Sequence, residues 1–204
     1  MTRFWLIAAA LAIVAVGCGS SGRKAAPPTT TATTTAPQKT TTDATGALQA
    51  EANAAAAGDI PDNQVFLVFR NTGARYSIKY PEGWAQRGAG ANVSFRDKNN
   101  VVRIVVAAGS RFSIAAIRDD LRHLHGARTD APPRGLTLPG GPGFQATYST
   151  VSAPNAVTGK RVRLVVDRYY LWKAGRRAIV DLGTPVGVDN VDAYRLMIES
   201  FQWR

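Results

Sequence analysis

One cysteine in 204 residues excludes a disulfide framework and any zinc site built from several thiolates. Two histidines, His123 and His125, leave little material for imidazole metal chemistry. They lie two apart on a helical pattern, about 200° around the axis, so a regular helix cannot aim both at one ion. No G-x-S-x-G or H-E-x-x-H pattern occurs, and these are the arrangements that carry nucleophilic or zinc-assisted hydrolysis. The glycine-rich stretch Leu138-Pro139-Gly140-Gly141-Pro142-Gly143 lacks the Lys-Ser/Thr of a phosphate loop, and its prolines remove N–H donors. It reads as a tight approach to a strand. These absences predict a protein without cofactor, metal or catalytic set. Hydrophobic residues make up 45% of the chain, which excludes a wholly disordered protein, and the length points to one folded domain.

What is present begins at the N-terminus. Met1-Thr2-Arg3 is followed by an apolar run from Phe4 to Val16, the layout of an export signal. Thirteen helical residues reach about 20 Å, short of the roughly 30 Å hydrocarbon core. The run ends in Ala15-Val16-Gly17-Cys18, so the only cysteine falls where the lipobox of bacterial lipoproteins needs it. That segment resembles a lipobox, with Ala15 in place of the commoner Leu. The resemblance implies cleavage before Cys18, a diacylglycerol thioether on Cys18, and residence on the outer face of the cytoplasmic membrane. Residues 1–17 are then a signal peptide.

Residues 18–63 form the expected tether. Ten threonines crowd between Thr29 and Thr45, with Pro27, Pro28 and Pro37 nearby. Such a segment cannot bury enough apolar surface to offset its ordering entropy. From Gln64 onward β-branched and aromatic residues alternate, and residues 64–204 read as a single α+β domain. Strands are expected at Val65 to Phe69, Arg75 to Tyr80, Val93 to Phe95, Val101 to Ala107, Gly143 to Ser152, Lys160 to Trp172 and Arg177 to Leu182. Ser113 caps a helix carrying Ile114, Ile117, Leu121 and Leu124, and Gly126 stops it. Asp189 caps a second, carrying Val191, Tyr194, Ile198 and Phe201. The expected architecture is one twisted antiparallel sheet whose apolar face is covered by these two main helices.

Arg75 to Trp84, reading RYSIKYPEGW, and the closing Ser200-Phe201 are similar to the opening and ending of PsbP-like domains. The resemblance implies an α–β sandwich and an accessory, non-enzymatic role at a membrane face. It transfers no site residue, since Tyr76, Tyr80, Pro81 and Trp84 read as packing positions.

The charge is one-sided. With 25 Lys plus Arg against 14 Asp plus Glu the net is +11, and residues 1–64 sum to zero, so the whole surplus lies in 65–204. Arginine dominates it, and guanidinium binds carboxylate or phosphate bidentately. Arg161 and Arg163, with Asp167 and Tyr169, sit opposite the apolar positions of one strand, and Arg176 and Arg177 follow at its turn. These four arginines are the candidate anion site, on a sheet face expected to be solvated. The expected partners are an anionic lipid, an acidic envelope polymer or a protein, with nucleic acid excluded by export. The competing reading is an envelope hydrolase or lyase using His123, with Asp119 and Asp120 beside it.

Overall fold

The computed structural model describes residues 46, 48–50, 53, 57–155 and 159–204. The signal, Cys18 and most of the expected tether lie outside the described residues. Those described between 46 and 57 are helical.

Ten strands and two further helices follow. The strands are β1 (Phe66–Asn71), β2 (Tyr76–Pro81), β3 (Ala85–Ala89), β4 (Asn92–Asp97), β5 (Asn100–Ala108), β6 (Arg128–Leu138), β7 (Gly141–Val151), β8 (Arg163–Lys173), β9 (Arg176–Pro185) and β10 (Gln202–Trp203). Helix α1 (Ile114–Arg122) lies between β5 and β6, and α2 (Val191–Glu199) between β9 and β10. Seven strands form one sheet in the order β3-β4-β5-β9-β8-β7-β6, and β1-β2-β10 form a second. Every pairing is antiparallel.

This corrects the expected architecture. The protein is mostly antiparallel β-structure in two sheets, not one sheet covered by two main helices. Each of the two helices has nine residues, and they lie on opposite faces of the large sheet. On one face Tyr169, Leu171, Val180 and Leu182 pack with Tyr76 and Ile78 of the small sheet and with Tyr194, Met197 and Ile198 of α2. On the other, Leu164, Val166 and Tyr170 pack with Ile117 and Leu121 of α1. Strand β8 is therefore buried on both sides from Arg168 to Leu171, where both phases carry large side chains.

Local chemistry explains the element ends. Ser113 Oγ accepts the Ala116 N–H at 3.1 Å, as its position predicts. Asp189 Oδ1 accepts the Val191 N–H at 3.2 Å, while the true N-cap, Asn190, turns its side chain inward. The β8–β9 turn has Ala174 and Gly175 both at positive φ (48° and 73°), the geometry that matches the twist of a two-residue hairpin. Strand β6 lies where no strand was expected. Its Pro132 and Pro133 fall at a register break between Ala131 and Arg134, and prolines are tolerated there because β6 is a sheet edge.

The folded unit also reaches back past Gln64. Ile60 is buried, and its N–H donates to Asn190 Oδ1 at 2.8 Å. The Gly58 carbonyl accepts from Asn100 Nδ2 at 2.5 Å and Asn190 Nδ2 at 3.2 Å. Gly58 and Ile60, placed in the tether by composition, are buried against the domain.

Candidate functional site

The odd-numbered side chains of β8, expected to face solvent, instead floor a cleft of about 620 Å³. Val165, Asp167 and Tyr169 supply the floor, and Leu136 and Leu138 of β6 flank it. Tyr194 and Ile198 of α2 form the opposite wall, and the Pro185–Val188 loop closes one end. That volume lies within the range of small-ligand sites, which are mostly apolar with a few placed polar groups.

The polar groups here are fixed by cross-strand register. Thr147 faces Asp167, and Gln145 lies between Arg134 and Tyr169. Thr147 Oγ1 donates to Asp167 Oδ1 at 2.6 Å, and Arg134 Nη2 donates to Gln145 Oε1 at 2.7 Å. Burial, reinforced by the Asp167 charge, raises the Tyr169 phenol above its ordinary value, so Tyr169 stays neutral. Tyr194 is likewise raised by burial, and its hydroxyl donates to the Gly183 carbonyl at 2.6 Å. Two arginines (Arg134, Arg195) and two carboxylates (Asp167, Glu199) line the cleft. The arrangement offers an apolar body several hydrogen-bonding groups, which is recognition chemistry.

His123 lies on the opposite face, in a recess of about 450 Å³ with Asp119, Asp120 and Arg177. Its Nδ1 is 2.8 Å from the Asp119 carbonyl and 3.7 Å from the Asp119 carboxylate. Arg122 takes the other carboxylate oxygen at 2.7 Å. Asp120 is held by Arg168 and by the Tyr170 hydroxyl, both at 2.7 Å. The carboxylates beside His123 are thus engaged in pairs of their own. Among the described residues no group of three or more His, Cys, Asp or Glu is placed to hold a metal ion, and no helix is long and apolar enough to cross a membrane.

The four candidate arginines do not converge. Lys173 pairs with Arg176, so Arg163 lies ten residues down β8 from the turn, about 33 Å away at strand rise. Arg161 donates to the Ser152 carbonyl at 3.2 Å. Arg176 and Arg177 point to opposite faces. Arg176 donates to the Arg75 carbonyl at 2.9 Å and lies 4.8 Å from the Trp203 ring, while Arg177 lies over Phe112 at 5.3 Å.

Composition also hid a buried ionic network. Arg168, 3% exposed, donates to both Asp181 oxygens at 2.6 and 2.9 Å and to Asp120. Burial alone would lower its pKa, but the Asp181 bonds and charge raise it above the ordinary value. The signal was available: Arg168 interrupts the apolar phase Leu164, Val166, Tyr170, Trp172.

No family model matches the chain, and no curated protein matches it. Among solved structures, cyanobacterial PsbP (CyanoP) from Synechocystis sp. PCC 6803 is similar at a TM-score of 0.53 and 14% identity. The match covers 72% of this chain and 98% of that one. The Saccharomyces cerevisiae Ran-binding protein Mog1p is similar at a TM-score of 0.42 and 11% identity, over 69% of this chain and 96% of that one. A Bacteroides thetaiotaomicron protein is similar at 0.42 and 17%, over 67% and 48%. The likeness to CyanoP is one of fold. It agrees at that level with the resemblance carried by RYSIKYPEGW.

Proposed function

We propose that this protein is a lipid-anchored binding or accessory module on the outer face of the cytoplasmic membrane. The cleft beneath α2 carries the binding part of this reading: it joins apolar walls to polar groups already oriented by Thr147, Gln145 and Asp167. Anchoring is supported by the short apolar run ending at Cys18, the sole cysteine. Its ligand is an envelope component or partner segment with an apolar body. The +11 charge confined to residues 65–204 favours a partner of negative charge.

Two variants of the full chain test it. Cys18→Ala should shift the protein from the membrane fraction or leave an uncut precursor; a mature, membrane-bound C18A protein would sink the anchoring. Val191→Trp fills the cleft mouth from a position 68% exposed, so the fold tolerates it. Native mass spectrometry after incubation with an envelope lipid extract should show an adduct on wild type that V191W loses. An adduct retained equally by both, or absent from both, would remove the cleft from the function.

A further inference from the structure

Directly opposed residues on neighbouring strands share a sheet face. On the α1 side of the large sheet, the register aligns Arg87, Ser94, Arg103, Asp181 and Arg168 in one row from β3 to β8. At the β8–β9 end, Arg168 and Asp181 lock together and Asp120 joins them. At the other end the row is open. Arg103 reaches Asp181 only at 3.6 Å, with its side chain 43% exposed, and Arg87 is exposed. Arg96, two residues along β4 from Ser94, shares the face and is exposed as well. Three guanidinium groups thus stand on three adjacent strands, and Asp181, the carboxylate that Arg103 reaches, is already bonded to Arg168.

Their spacing follows from the sheet. Two strand intervals separate Arg87 from Arg103 by about 10 Å at the backbone. Arg96 is a diagonal neighbour of both, roughly 7–8 Å away. Ala85, Ala89, Asn92 and Ser94 on the same face have short side chains, and Arg87 and Arg96 beside them are exposed. This is a cationic surface distinct from the cleft and on the opposite side of the sheet.

We propose that the Arg87–Arg96–Arg103 face docks the domain on anionic phospholipid headgroups. Charge complementarity selects an anionic occupant, and guanidinium bonds phosphate through paired donors. Spread over three adjacent strands, the three groups can each meet a separate headgroup of a bilayer surface. The lead-in segment also joins the domain at this end, because Gly58 is held by Asn100 at the β4–β5 turn, one residue from the Arg96–Val101 pair. That a bilayer lies within reach rests on the anchoring reading; the cationic face does not.

Co-sedimentation of the full chain with phosphatidylglycerol-containing vesicles and with pure phosphatidylcholine vesicles separates the two. Neutral vesicles report the N-terminal apolar segment, and the gain on anionic vesicles reports the face. We expect R87Q/R96Q/R103Q to reduce that gain about tenfold or more, and high salt to do the same to wild type. R70Q/K79Q/R163Q removes equal charge elsewhere and should keep the gain within about twofold of wild type. R87Q/R96Q leaves the Arg103–Asp181 contact intact and carries the test if the triple variant is unfolded by circular dichroism; about a fivefold reduction is expected. A persisting anionic gain without neutral-vesicle binding supports the face while counting against anchoring. No anionic gain, an equal loss in the control triple variant, or binding to soluble polyglutamate in preference to vesicles would overturn the proposal.

Discussion

Arg168 is a charge on the apolar phase of a central strand, and its neighbours decide whether that is tolerable. Asp181 meets it with two parallel bonds, Asp120 takes a third N–H, and the guanidinium lies 5.3 Å from the Tyr148 ring. Removing one partner strands a buried charge, whereas removing both need not. Asp181→Ala should therefore cost about 3–5 kcal/mol in urea unfolding. Arg168→Met combined with Asp181→Leu should recover most of that. A loss below about 1 kcal/mol for the single variant would mean that Asp120 and water suffice for Arg168. The opposite case is Tyr76, whose buried hydroxyl has Asn71 beside it but no well-formed hydrogen bond among the described residues, while its ring stacks on Phe201 at 5.5 Å. Tyr76→Phe keeps the stacking and removes a desolvated hydroxyl, so it should raise stability by about 1 kcal/mol. A destabilised variant would show that Asn71 bonds that oxygen.

Between elements, backbone approach sets the tolerances. The β6–β7 turn lies so close to the chain end that a Cβ on Gly140 would sit 2.4 Å from the Phe201 carbonyl oxygen. Gly140→Ala must push β10 away from β2 or open the turn, and should lower stability by about 1–3 kcal/mol; thermal melting of G140A unchanged from wild type would contradict this. The glycine-rich stretch was legible as a close approach for this reason. Elements with one buried face were legible too: β2 through Tyr76 and Ile78, α1 through Ile117 and Leu121. The strands that composition missed are β3, β6 and β10, all at sheet edges. Strand β3 has no buried residue, so it carries no alternation to read, and β6 is broken by its prolines. The candidate arginines do not gather for another reason: grouping them by one hairpin overlooked its length, which puts Arg163 ten residues from the turn that holds Arg176, about 33 Å at strand rise. The cleft was illegible because Asp167 and Tyr169 looked like a wet face, and only the docking of α2 makes them a floor.

For the molecule as a whole, two properties follow from how the layers close. Burial raises the phenols of Tyr76, Tyr148, Tyr169, Tyr170 and Tyr194, with Tyr148 pushed up to about 12. Below pH 10 both folded and unfolded chains keep these protons, and the full stability is present. Above it the unfolded chain releases them first, so stability should fall by about 1.4 kcal/mol per pH unit for each such tyrosine until its folded pKa is passed. Denaturant midpoints that do not decline between about pH 9 and about pH 11 would contradict this sign. The second property is where the folded unit starts. Composition changes at Gln64, but contact begins at Gly58: Asn190 bonds Gly58, Ile60, Asn100 and Thr184 together, and Ile60 joins the core shared with Tyr194 and Trp203. A chain beginning at Gly58 should melt with the full-length protein. One beginning at Gln64 exposes the core where Ile60 lay, about 1.5–3 kcal/mol of burial, and leaves Asn190 and Asn100 without their backbone partners, about 1 kcal/mol each. It should fold with a stability lower by roughly 3–5 kcal/mol. Equal midpoints for the two truncations would show that water replaces both asparagine contacts and that Ile60 adds little, returning the boundary to Gln64.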